Sequence, residues 1–258
     1  MEILGYIGAL FIGLVLGLTG GGGSILTVPI LVYLMNISPV TATAYSLFIV
    51  GTTSTFGAIQ NYRKNLVDIK NGFLFAIPSF IAVYLTRKYI VPKIPNTIIE
   101  SPFLLSKNTF LMVFFAVIMV FGALSVLKKK SQNMTTEENR NLILIGIQTF
   151  IIGIIIGLVG AGGGFLIIPS LILFVKLPMK KAVGTSLFII AMNSLVGFIG
   201  DVQNLIIDWI FLLTFSTISI VGIFIGMYLT KYTNENQLKK IFAYFVLLMA
   251  AIILLKEI

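Results

Sequence analysis

The chain has 258 residues, of which 58% are hydrophobic and only 10% charged. Soluble domains carry roughly 25% charged residues, so the composition leaves a polytopic membrane protein with no sizeable extramembrane domain. With no Cys and no His, the chain lacks the residues for disulfides, thiolate nucleophiles, haem ligation or Cys- and His-held zinc, and no cofactor or metal is expected. The net charge of +9 fits Lys and Arg flanking helices, beside anionic lipid headgroups on the cytoplasmic side. No nucleic-acid partner is expected.

Apolar stretches able to enter a bilayer fall at about 3–18, 25–35, 41–59, 72–86, 109–127, 142–159, 165–175, 183–199, 206–230 and 241–255. Membrane strands would alternate apolar and polar residues. Residues 150–158 and 218–225 are apolar at nearly every position, so the stretches predict helices. No Lys or Arg precedes Arg63, so a secretory signal is not expected. Between the stretches, 61–70 holds Arg63, Lys64, Asp68 and Lys70. Residues 91–107, with Pro92, Pro95 and Pro102, read as a surface excursion. Residues 128–140 are the most polar and read as a linker.

That linker separates two copies of one pattern, residues 1–127 and 141–258. Gly17-Leu18-Thr19-Gly20-Gly21-Gly22-Gly23-Ser24, followed by Pro29, answers to Gly157-Leu158-Val159-Gly160-Ala161-Gly162-Gly163-Gly164, followed by Pro169, at an offset of 140. The same offset pairs Ser46-Leu47-Phe48-Ile49 with Ser186-Leu187-Phe188-Ile189, Ser54 with Ser194, Gly57 with Gly197 and Asp68 with Asp208. Tyr84-Leu85-Thr86-Arg87 answers to Tyr228-Leu229-Thr230-Lys231 with four extra residues. Internal repeats of this kind are a mark of secondary transporters.

Loop charges bear on orientation. If each glycine-interrupted element crosses the membrane once, Lys and Arg divide 8 against 10 between the two sides. If each is a hairpin, they divide 5 against 13, with both termini on the poorer side. The positive-inside rule favours the second arrangement, which gives inverted repeats with extracytoplasmic termini. At 1.5 Å per residue, 3–18 reaches about 24 Å and 25–35 about 16 Å. The return arm is therefore expected to stop part-way, with 36–40 inside the protein.

Glycines inside an apolar run permit backbone that other residues resist, and irregular backbone survives in a membrane only where protein or water satisfies it. The run after each break reads as a half-helix whose N-terminus, near Ser24 or Gly164, offers N–H donors and partial positive charge to an anion. The alternative is that the glycines serve close helix packing. A nucleotide P-loop does not fit, because the Gly-Lys-Ser/Thr ending is missing. The candidate substrate-binding residues are Thr19, Gly20, Gly21, Gly22, Gly23, Ser24, Gly160, Gly162, Gly163 and Gly164, with side chains from Ser46, Thr185, Ser186 and Asn193. Ser46 and Thr53, like Ser186 and Asn193, stand seven apart and share a helix face, although such hydroxyls also bond their own helix. All nine acids fall in loops, ends or helix starts. Asp68 and Asp208 read as N-caps, and the anion is expected to be held without a buried Lys or Arg.

The doubled glycine–proline pattern, together with Gly184-Thr185-Ser186-Leu187, resembles the sulfite exporter TauE/SafE family of membrane permeases over essentially the whole chain. In the first copy, Ala44-Tyr45-Ser46 stands where the second has Gly184-Thr185-Ser186. The resemblance implies a bacterial or archaeal plasma-membrane transporter with about eight transmembrane helices. It also implies sulfite, sulfoacetate or related anions as substrates. The expectation is an all-α membrane protein of two four-segment repeats with broken first helices. It would carry a small anion by alternating access. The alternatives are an integral-membrane enzyme acting on a lipid-like substrate, for which no cluster of acids is present, and a passive anion channel.

Overall fold

The computed structural model describes residues 2–95, 97–99, 105–127, 142–160, 162–230 and 235–257. The first half holds α1 (Glu2–Thr19), α2 (Ser24–Tyr33), α3 (Pro39–Arg63) and α4 (Ile69–Leu85). A π-helical turn (Thr86–Ile90), a short α5 (Val91–Lys93) and α6 (Lys107–Leu127) follow. The second half holds α7 (Leu142–Val159), α8 (Gly164–Phe174), α9 (Met179–Asp201), α10 (Trp209–Leu229) and α11 (Glu235–Glu257). Between α5 and α6, a small antiparallel ribbon pairs β1 (Thr97–Ile99) with β2 (Leu105–Ser106). The linker 128–140 lies outside the described residues.

Among the described residues, 69–93, 107–124, 179–201 and 209–229 are helices long and apolar enough to cross a membrane, and α1, α2 and α7 contribute shorter apolar helices. Exposed Ile3, Phe121, Ile143 and Ile210 give the bundle an apolar outer face, suited to lipid and not to water. The helix α3 is 25 residues long but rich in Ser, Thr and Gly. It can afford that composition because it is enclosed by α2, α9 and α10 and meets protein instead of lipid.

Each glycine-interrupted element is a hairpin. On α1 and α2, Gly5 lies against Met35, Gly8 against Ile30, and Gly23 against Ile12 and Leu16, so the two helices run antiparallel. The return arm therefore reaches the level at which α1 begins and does not stop part-way. Asn36 and Ser38 are exposed, not enclosed. The physical reason is the path of the turn. The helix α2 returns only about 15 Å against about 27 Å for α1, and Gly20–Gly23 cover the difference as non-helical chain running back toward α2. Each return arm ends on a left-handed residue at matched positions, Asn36 at φ 54° and Lys176 at φ 57°.

The tertiary contacts repeat with the 140-residue offset. Gly13 of α1 packs on Ser219 of α10, and Gly153 of α7 packs on Ser79 of α4. Gly57 meets Leu187 and Ile223, while Gly197 meets Leu47 and Val83. Along α3 and α9, Leu47, Gly51 and Gly57 face Gly197, Leu195 and Leu187 in turn. These equivalent helices therefore run in opposite directions side by side. The hairpins are held by small residues. Gly13 and Gly17 lie on Gly222 and Gly226 with backbones in contact, the close approach that a small-xxx-small pattern permits. At the chain's far end, α6 and α11 share an apolar seam that includes Met112, Phe115, Met119, Ala243, Val246 and Ala250. The Tyr33 hydroxyl donates to Glu257 at 3.3 Å, so both chain ends come to the same end of the bundle.

Candidate functional site

The two breaks begin alike. Gly20 and Gly160 adopt left-handed backbone at φ 76° and 71°, which only glycine takes without strain. Their N–H groups close the last turns of α1 and α7 on Leu16 O and Ile156 O, each at 2.8 Å. The tips then differ. Gly162 and Gly163 are left-handed again, at φ 64° and 70°, whereas Gly23 sits at φ −64°. In the first tip the Thr19 hydroxyl accepts from Gly22 N–H at 2.9 Å and donates to Val15 O at 2.7 Å, and Ser24 Oγ donates to Gly21 O at 2.7 Å. Val159, at the position matching Thr19, has no hydroxyl to do the same.

Neither half-helix has a side-chain cap. By contrast, Ser38, Asp68 and Asp208 cap α3, α4 and α10. The first bonds of α2, from Ser24 N and Ile25 N to Gly21 O and Gly22 O, are stretched to 3.4 Å, long for an amide hydrogen bond. The first glycine tip meets the start of α8: a Cβ on Gly21 would fall 2.7 Å from the backbone of Gly164. Both chains can pass at this distance only because neither carries a side chain. Gly162 lies against Val50, Ile190 and Ser194, so the meeting point sits where α3 crosses α9, at the centre of the bundle. All the described candidate glycines and Ser24 are buried.

All four candidate side chains are buried polar groups of α3 and α9. Ser186 Oγ donates to Gly20 O at 2.7 Å, with Val183 O equally near. Asn193 accepts from Ser79 at 2.9 Å, and its Nδ2 has no partner. The hydroxyls of Ser46, Thr53, Ser54 and Ser194 are also buried without partners among the described residues. A buried unsatisfied polar group costs about 1–3 kcal/mol, so each of them calls for an explanation. Thr185 is engaged elsewhere: its hydroxyl accepts from Asp68 N–H at 2.9 Å, at the start of α4. A cavity of about 10 Å³ lies behind Ser79, with Thr149 and Ser170 also on its wall.

A buried cation, Arg87, stands beside the second break, where no buried Lys or Arg was expected. In the sequence it stands among loop charges, and the π-helical turn after α4 carries it inward instead. It is fully buried, with Nη1 3.2 Å from Asp201 Oδ2 and donating to Thr43 Oγ1 at 3.1 Å. Its Nη2 abuts Gly160. Asp201, at the end of α9, is buried as well. The one sequence signal at this position is that the repeat puts a cation after Tyr-Leu-Thr in both copies, at Arg87 and Lys231, which says nothing of burial.

A family model described as sulfite exporter TauE/SafE matches residues 6–253. A probable membrane transporter protein of Xylella fastidiosa (strain 9a5c) is 26% identical over 93% of this chain and 89% of its own length. The probable membrane transporter proteins YunE and YjnA of Bacillus subtilis (strain 168) are each 27% identical; YunE aligns over 79% of both chains, YjnA over 92% of this one and 94% of its own. No solved structure matches. With the match spanning nearly every residue, both glycine breaks included, the chain belongs to the sulfite exporter TauE/SafE family.

Proposed function

We propose that this protein is a secondary transporter of small anions, with sulfite, related sulfur oxyanions and organosulfonates as the substrate class. The observation that carries the reading is the meeting of the first glycine tip, at Gly21, with the N-terminus of α8, at Gly164, where both half-helices start without a side-chain cap. Each such end contributes up to about 2 kcal/mol to a bound anion. Two of them hold a passenger without trapping it, and transport needs release as well as capture. Within Gly20–Ser24 and Gly160–Gly164, the backbone donors of this reading are Gly21, Gly23 and Gly162–Gly164, because the N–H groups of Gly20, Gly22 and Gly160 bond within their own hairpins. Ser46, Ser186 and Asn193 supply side-chain contacts, and Thr185 acts by positioning the start of α4.

On this reading residues 1–127 and 141–258 are inverted repeats of four segments each, about eight in all, joined by 128–140. The opposed α3 and α9 support that arrangement. The excess of Lys and Arg on the face away from the termini supports a plasma-membrane orientation with both termini extracytoplasmic. Rocking of one repeat against the other at the Gly21–Gly164 contact would expose the site to each side in turn. The test is counterflow in proteoliposomes loaded in turn with sulfite, thiosulfate, sulfoacetate, taurine and simple carboxylates. The reading expects saturable exchange of at least one sulfur-containing anion. Linear, unsaturable flux of every anion would reject it.

A further inference from the structure

The two halves repeat each other's contacts closely, and one group of charged residues departs from that symmetry. Thr43, Arg87 and Asp201 meet beside Gly160. The matching positions are Val183, Lys231 and Asn61. Asn61 donates to Gly57 O at 2.9 Å and approaches Met227 Sδ at 3.6 Å. The second break thus has a carboxylate–guanidinium pair beside it, where the first has an amide in the carboxylate's place.

The guanidinium is only half used. Nη1 serves Thr43 and Asp201, while Nε and Nη2 are buried with no hydrogen-bond partner among the described residues. Nε and Nη2 form the edge that takes two oxygens of an oxyanion side by side. That edge borders the break, because Nη2 is the atom a Cβ on Gly160 would strike. Asp201 Oδ2, though 3.2 Å from Nη1, makes no aligned hydrogen bond.

We propose that Arg87 contacts the transported anion directly at the Gly160 end of the path, with Asp201 as its built-in competitor. Asp201 holds the guanidinium when no anion is bound and loosens its hold as the passenger's oxygens take the Nε–Nη2 edge. This inference rests on the anion-transport reading. It gives the two ends of the path unequal affinity, because Asn61 brings no competing charge to the other.

The test measures sulfite half-saturation in proteoliposomes for Arg87→Gln, Asp201→Asn and the double variant. Asp201→Asn is expected to lower half-saturation at least threefold. Arg87→Gln and the double variant are expected to raise it at least tenfold. If either single variant fails to fold, the double variant, which leaves no buried unpaired charge, carries the comparison. A double variant with wild-type half-saturation would make the pair structural and overturn the proposal. So would an Asp201→Asn defect as large as that of Arg87→Gln. A wild-type protein that moves none of the sulfur anions would fail the transport reading first and take this inference with it.

Discussion

Tyr45 and Thr185 occupy the same place in the two repeats and do the same work with different side chains. The Tyr45 hydroxyl accepts from Asp208 N–H at 2.8 Å, and the Thr185 hydroxyl accepts from Asp68 N–H at 2.9 Å. In each case a residue early in one half's central helix holds the capping Asp that starts a helix of the other half. The difference at Ala44-Tyr45-Ser46 therefore conserves an interaction between the halves. Tyr45→Phe and Thr185→Val should each lower stability by about 1–2 kcal/mol, because each strands one amide of a helix start. Chemical denaturation in detergent checks this, and the two losses should be similar.

The capping aspartates themselves give a second expectation. Asp68 accepts from Asn71 N–H and Asp208 from Phe211 N–H, both at 3.0 Å. Replacing either with Ala should cost about 1 kcal/mol, and Asn should restore most of it. Asp68→Ala should cost more than Asp208→Ala, since Asp68 also accepts from Asn71 Nδ2 at 2.7 Å. Melting curves of the four variants decide the order.

The buried ion pair predicts a pattern of stabilities separate from transport. Asp201→Ala or Arg87→Ala alone should destabilise by about 3–5 kcal/mol, since each leaves an uncompensated charge in the interior. Arg87→Met with Asp201→Leu should recover much of that loss, because an apolar pair removes both desolvation costs. Equal damage from the double and single variants would contradict the burial of the pair.

The arrangement of the halves gives a topological prediction. With no native Cys, Asn36→Cys and Lys176→Cys can each be labelled alone. They end the return arms of opposed hairpins at matched left-handed positions. In oriented vesicles a membrane-impermeant thiol reagent should reach them from opposite sides. Labelling of both from one side would contradict the inverted arrangement.

The hairpins, the 140-residue register and the two aspartate caps were legible because each is local or periodic: glycines next to glycines, like residues at a constant spacing, an acid just before an apolar run. Arg87 was not legible as a buried group. Hydropathy reads a cation at the end of an apolar run as a loop charge, and its partner Asp201 stands 114 positions away on another helix. The shared role of Tyr45 and Thr185 was hidden because only the hydroxyl is common to them. The return path of Gly20–Gly23 escaped a length argument that counted helical rise alone. Gly13, Gly17, Gly222 and Gly226 follow the packing interpretation of glycine, whereas Gly20 and Gly160 turn the chain.

The central claim is that the contact between Gly21 and Gly164 is where the anion passes, and sulfite counterflow through a Gly21→Val variant tests it most directly. A side chain there would strike the Gly164 backbone, whereas a Cβ on Gly146, in α7, would meet nothing within 4 Å. With insertion and melting temperature measured beside transport, Gly146→Ala should keep wild-type exchange and gain about 0.5–1 kcal/mol of stability. Gly21→Val should be inserted in the membrane yet lose at least nine-tenths of its saturable sulfite exchange. Wild-type exchange by an inserted Gly21→Val protein would contradict the account.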